Sequence, residues 1–173
     1  MNPLVFIDTN ILLDFYRQRR GDINLKYLAE IEKNYESLIL TSQVEMEYKK
    51  NRQIAIIDSL KQIKDETSSF GIPPILTESQ PAKMLKKKKK EYKKQQTTLK
   101  ERIGNILKSP AHSDKVYQCL NRIFKKNWDY HQNREDKYRY KIRRLAIKRF
   151  YLGYPPRKKG DNSIGDAINW DYI

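Results

Sequence analysis

Four carboxylates in this chain sit where a helix begins or where a short apolar run gives way to a polar turn: Asp8, Glu47, Asp161 and Asp166. Asp8 closes the run Leu4-Val5-Phe6-Ile7, and Glu47 lies early in the helical stretch after a second apolar run. Asp161 and Asp166 flank the start of the last helical stretch. If each follows a strand in a parallel βα unit, these points fall along one edge of the sheet, where open α/β sheets place their ligands. Carboxylates gathered there repel one another unless divalent cations join them. Hard oxygen ligands select Mg²⁺ or Mn²⁺. Such an ion can activate a water and stabilise the leaving oxygen of a phosphodiester. For Asp8 the competing role is that of a helix cap, which aspartate fills readily.

The elements that must position these acids follow from the pattern of apolar residues. Residues 4–8 predict a short strand buried on both faces, as in a parallel sheet. Thr9 or Asn10 is a candidate cap for a helix over 10–18, and Asp22 for a second over 23–36. Ser37-Leu-Ile-Leu-Thr41 repeats the opening: an apolar run, then hydroxyl residues, then a helix from near Ser42 to about Ser68. Gly71-Ile-Pro-Pro74 ends that helix. Two strand–turn–helix units in succession imply a parallel sheet wrapped by helices. Within the third helix, Glu45 and Glu47 are two residues apart and cannot share a face. Val44 and Tyr48 have packing character. Asp171, five residues beyond Asp166, is expected to face solvent. No glycine-rich turn follows either strand, so neither a dinucleotide site nor a P-loop is supported. A phosphatase with Asp-x-Asp would need an acid where this chain has Asn10.

Charge divides the chain into three. Residues 1–81 carry 10 basic and 12 acidic side chains, residues 82–159 carry 26 and 6, and residues 160–173 carry none and 3. The net charge of +15 therefore comes from the middle. Such a surface attracts polyanions by releasing their counterions, with nucleic acid ahead of anionic membrane. Residues 78–108 predict one lysine-dominated helix containing Lys86, Lys87, Lys88, Lys89 and Lys90 without a break, then Lys93 and Lys94. Five adjacent lysines point around the whole helix, so a solvated face or mobile arm is the competing reading. After Ser109-Pro110 a helical region spans 112–150, with an interruption near Asn127. There Tyr130, His131, Tyr138 and Tyr140 interleave with Arg134, Arg139, Arg143 and Arg144. That mixture suits unstacked bases and phosphates, and also ordinary packing. His112 and His131 have no partner at metal spacing. Residues 154–163 read as a loop, and Ser163 as the cap of a last helix.

With 173 residues, 38% hydrophobic and 33% charged, the chain is expected to be a single domain over 1–173 with a basic helical insertion over 71–153. No apolar run is long enough to span a membrane. Cys119 is the single cysteine, which excludes an internal disulfide and cysteine-based zinc sites. A cytoplasmic location fits.

Phe6-Ile-Asp-Thr-Asn-Ile-Leu-Leu-Asp14 resembles the opening of a PIN domain, the metal-dependent ribonuclease fold also used by many bacterial toxins. Leu40-Thr-Ser-Gln-Val-Glu-Met-Glu-Tyr48 resembles the second acidic segment of that family. Residues 155–170, with Gly165-Asp166 and then Trp170, are similar to the third acidic segment of a PIN-like subfamily that also carries a long helical insertion. The resemblance implies an α/β, three-layer fold with a short central parallel sheet. It implies Asp8, Glu47 and Asp166 as the metal-binding acids, Asn10 as the residue that orients the first, and Asp161 as a weaker addition. It implies Mg²⁺ or Mn²⁺ as cofactor, and an antitoxin or larger complex as partner. The family usually continues into a strand ending in Ser/Thr-x-Asp, whereas this sequence stops at Ile173. Truncation, substitution by Asp161 and an incomplete metal site are the three readings of that difference.

Three functions then compete. The first is a metal-dependent endoribonuclease, toxin or defence related, holding RNA or another single-stranded nucleic acid on Lys86–Lys90, Lys93, Lys94, Arg139, Arg143 and Arg144. Its products would carry a 3′-hydroxyl and a 5′-phosphate. The second is a catalytically incomplete PIN-like module that binds nucleic acid. The third is a structural or partner-binding protein, with association at a membrane surface as one form of it.

Overall fold

The computed structural model describes residues 3–17, 25–63, 71–126, 135–154 and 164–171. Two strand–helix units open the chain. β1 (Val5–Phe6) leads into α1 (Thr9–Asp14), and β2 (Leu38–Ile39) leads into α3 (Ser42–Gln62). The strands pair in parallel, Val5 opposite Leu38 and Phe6 opposite Ile39. Between the units lie α2 (Leu25–Lys33) and a turn of 3-10 helix at Tyr35–Ser37. Four helices follow: α4 (Gln80–Lys108), α5 (Pro110–Ser113), α6 (Lys115–Lys126) and α7 (Lys137–Tyr151). The short α8 (Gly165–Asn169) comes last. The protein is thus α/β but mostly helical, and its two strands are the only ones among the described residues. A third strand, expected from the three acidic turns, is not found there.

The strands differ in burial. Both residues of β2 are buried, as expected for a central parallel strand, but Val5 of β1 is 50% exposed. β1 has a neighbour on one side only among the described residues. Beside it runs an apolar groove of about 450 Å³ lined by Val5, Ile7, Ile11, Phe15, Tyr27 and Ile31. The expectation that the first run is covered on both faces is therefore corrected.

The main core joins the two units to the basic middle of the chain. In α6, Val116, Cys119, Leu120, Ile123 and Phe124 fall at i, i+3, i+4, i+7 and i+8, a single apolar stripe. That stripe packs with α2 and with Tyr48 of α3, whose ring centroid lies 6.0 Å from that of Phe124. Cys119 is buried in this stripe. Burial, and then the Glu32 carboxylate that accepts its S–H at 3.4 Å, push its thiol up to about 12. A smaller cluster forms where Ile142 and Ala146 of α7 meet Ala167 and Ile168 of α8. The helical stretch expected over 112–150 is therefore at least two helices serving two cores, and its expected break at Asn127 lies outside the described residues.

α4 runs as expected from its sequence. The Ser79 hydroxyl accepts from the Ala82 N–H, Pro81 occupies the first turn, and Ser109-Pro110 follows the last. Of its 29 residues only Ala82 and Gln96 are buried, and Lys86 to Lys90 are all exposed. No helix among the described residues is long and apolar enough to cross a membrane.

Candidate active site

The parallel register brings two helix starts side by side. Phe6 is opposite Ile39, and two residues further along each chain stand Asp8 and Thr41. Each caps the helix that follows. The Asp8 carboxylate accepts from the Asn10 backbone N–H at 2.6 Å, and the Thr41 hydroxyl accepts from the Val44 N–H at 3.2 Å. Neither Thr9 nor Asn10 is the cap. Thr9 is already helical and buried, and its hydroxyl turns across to α3.

There it meets Glu47. Thr9 Oγ1 donates to one Glu47 carboxylate oxygen at 3.0 Å, and Gln43 Nε2 donates to the other at 2.6 Å. Two donors fix the carboxylate at the α1–α3 contact, one residue from Asp8. Glu45 points elsewhere and forms an ion pair with Lys49. Asn10 acts on Asp8 through its main chain, while its side-chain oxygen accepts from Arg17 at 3.2 Å. The same guanidinium nitrogen of Arg17 reaches the buried Asp14 carboxylate, also at 3.2 Å.

Asp166 stands exposed in the first turn of α8. That helix is tied to the start of α3 by a buried bond from the Thr41 hydroxyl to Asn169 Oδ1, 2.7 Å long. Ile164, without a side-chain cap bond, precedes α8 in place of the expected Ser163, which lies outside the described residues. Asp161 lies outside them too. Asp171 was expected in solvent, but its carboxylate is 9% exposed and pairs with Arg149 of α7. The spacing from Asp166 predicted the wrong surroundings because α7 arrives from elsewhere in the chain.

Among the described residues no three Asp, Glu, His or Cys side chains stand together as a metal-holding group. The donors themselves suit a hard ion, since Asp8 and Glu47 offer carboxylate oxygens. Mg²⁺ keeps several waters and needs only one or two protein carboxylates when a phosphate supplies further oxygens.

Behind this edge lies a buried polar knot that the sequence did not suggest. Arg52 of α3 donates through Nε to Asp114 Oδ2 at 2.8 Å and through Nη2 to the Ile106 carbonyl at 2.9 Å. Tyr16 donates to the same Asp114 oxygen at 2.7 Å, which leaves the Tyr48 hydroxyl to donate to Tyr16 at 2.8 Å. The other Asp114 oxygen accepts from the Tyr117 N–H at 2.9 Å and so caps α6. Burial works against the Arg52 charge, but its bonds to Asp114 and Tyr16 more than offset this and hold its pKa above the usual value. Burial, then Tyr48 and Asp114, push the Tyr16 hydroxyl far above its ordinary range. The knot joins the end of α1, the middle of α3, the end of α4 and the start of α6.

Of the basic residues singled out in the sequence, Lys86 to Lys90, Lys93 and Lys94 are exposed on α4, and Arg143 and Arg144 are exposed on α7. Arg139 is half-buried. The sequence singled out neither Gln43 nor Arg17, and Thr9 only as a helix cap, not as the partner of Glu47. Gln43 carries a usable signal, since it lies four residues before Glu47 on one helix face. Thr9 carries none, because its partner is 38 residues away.

A protein-family model described as PIN domain matches residues 5–173. No curated protein and no solved structure matches the chain.

Proposed function

The chain belongs to the PIN domain family, and from that premise we propose that it is a metal-dependent endoribonuclease working at the edge where α1 and α3 begin. PIN domains are in general nucleases that use divalent metal ions. The observation that carries the assignment to this edge is the Thr9–Glu47 hydrogen bond, which holds the second acidic helix against the residue following Asp8. In this reading Asp8, Glu47 and Asp166, which do not stand together as a group without an ion, would hold Mg²⁺ or Mn²⁺, with Asp161 a weaker addition. A divalent ion there would supply an activated water and stabilise the leaving oxygen of a phosphodiester. The chain's own part is to hold the carboxylates: the Asn10 N–H fixes Asp8, while Thr9 and Gln43 fix Glu47. The finer architecture we propose is three layers with residues 71–153 as a basic helical insertion. RNA is the proposed substrate, and a toxin or defence role under an antitoxin or larger complex is the proposed setting.

The test is incubation with RNA and DNA, single- and double-stranded, in Mg²⁺, Mn²⁺ and EDTA, with end-group analysis of the products. RNA cleaved to 3′-hydroxyl and 5′-phosphate ends only when metal is present is the expected result. Cleavage that persists in EDTA, or none of any substrate, contradicts the proposal.

The lysine run has its own expected result. Replacing Lys86 to Lys90 by Gln weakens RNA binding. It also lowers the steepness of the log affinity–log salt plot by about 0.7 for each single-strand phosphate that the run no longer neutralises. An unchanged slope would mark the run as a solvated face outside the binding surface.

A further inference from the structure

α7 carries a stripe whose composition differs from that of α4. With Ile142 and Ala146 buried against α8, the helical step of about 100° per residue puts Tyr140, Arg144, Lys148 and Tyr151 together on the opposite side. Tyr140 is 66% exposed and Tyr151 83%. Arg144 and Lys148 lie between them, both exposed, and neither pairs with an acidic side chain among the described residues. The whole helix has seven Lys or Arg and no acid. α4, in contrast, has Glu91 and Glu101 among its lysines and a single aromatic residue, Tyr92.

We propose that this stripe is a stacking platform for single-stranded nucleic acid. Two outward rings leave apolar faces in water, and a base covers such a face without needing a particular sequence. The two cations between the rings meet the backbone phosphates, and the Arg144 guanidinium plane can itself stack on a base. The rings are eleven residues apart, roughly 16 Å along the helix axis at about 1.5 Å per residue, so they engage separate nucleotides of one strand. A duplex hides its base faces in its own stack and offers the rings nothing. α4 then supplies charge without strand selectivity, and α7 supplies the preference for single strands. α8, which bears Asp166, packs on the other side of α7, so the body of α7 stands between a strand on the stripe and that proposed metal ligand. The inference rests on the nuclease reading only in taking the bound polyanion to be nucleic acid.

The test uses the full chain in EDTA, with a labelled single-stranded RNA and the same strand annealed into a duplex. Tyr140→Ala/Tyr151→Ala should weaken single-strand binding at least about tenfold, leave duplex binding unchanged and leave the salt slope unchanged. Tyr140→Phe/Tyr151→Phe should restore affinity, because the ring and not the hydroxyl makes the contact. Arg144→Gln/Lys148→Gln should lower the single-strand slope by about 1.4. All four positions are exposed, and circular dichroism checks that each variant folds. The inference is overturned if the alanine pair binds as wild type, if it weakens single strand and duplex equally, or if the phenylalanine pair fails to restore binding. A wild type that binds neither form, or binds anionic vesicles more tightly than RNA, overturns this inference and the nuclease reading together. A wild type that binds and cleaves RNA, beside an unaffected alanine pair, overturns only the platform.

Discussion

Asp114→Ala lowers the unfolding free energy by about 3–5 kcal/mol, the scale of a buried ion pair broken on one side. The side chains of Arg52 and Asp114 are 4% and 3% exposed. Removing the carboxylate leaves the Arg52 charge buried with the Ile106 carbonyl, the Tyr16 hydroxyl and the rings of Tyr16 and Tyr117 as its remaining partners. It also removes the α6 cap, worth about 1 kcal/mol by itself. Asp114→Asn keeps an oxygen for the Tyr117 N–H while giving up the charge, so its loss should fall between wild type and the alanine variant. Urea denaturation measures all three. A change below about 1 kcal/mol for Asp114→Ala would show that the knot is not the tie between α3 and α6 that its geometry implies. Activity should fall with stability here, because none of the four groups in the knot is placed at the acid edge.

Glu47→Gln is expected to slow RNA cleavage by roughly 10²–10³-fold, the scale for removing one preorganised electrostatic group from a reacting centre. Glu45→Gln should stay within a few-fold of wild type, because Glu45 faces Lys49 and not α1. Glu47→Gln also keeps an oxygen for the Thr9 hydroxyl, so folding should survive and the loss should appear in turnover. Combining Glu47→Gln with Asp8→Asn should cost little beyond either alone, as for groups acting as a unit. Single-turnover rates decide it. Equal losses for the two glutamate variants would remove the reason for preferring Glu47.

Both strand–helix units were legible in the sequence because each is local. An apolar run, a hydroxyl or acid at its end and a helical pattern after it lie within about ten residues, and the same signals set the caps. Asp8 caps α1, the role that competed with metal binding, and it does so at the end of the parallel pair. That a carboxylate caps a helix does not take it out of a metal site, since one oxygen meets the backbone and the other is free to serve. The choice of Glu47 over Glu45 rested on spacing, and the structure gives them different neighbours.

What was not legible depends on contacts between distant parts of the chain. Arg52 and Asp114 are 62 residues apart, each among other charged residues that face solvent, so nothing local marks them as a buried pair. The fate of Asp171 turned on Arg149 of α7, and that of Val5 on how many strands flank β1. The face of α7 that carries Tyr140 and Tyr151 could be named only once Ile142 and Ala146 were seen to pack on α8.

Asp8→Asn tests the central claim most directly. The substitution keeps the size of the side chain and an acceptor for the Asn10 N–H, so a residue that only caps α1 would tolerate it. An amide oxygen is a much poorer partner for Mg²⁺ than a carboxylate, so a metal ligand would not. The measurement is the single-turnover rate of RNA cleavage in Mg²⁺ by wild type and Asp8→Asn, with circular dichroism and RNA affinity recorded on the same samples. The expected result is abolished cleavage with fold and binding retained, and binding slightly tighter because a negative charge beside the phosphate is gone. Cleavage by Asp8→Asn at the wild-type rate would contradict the assignment of this edge as the active site.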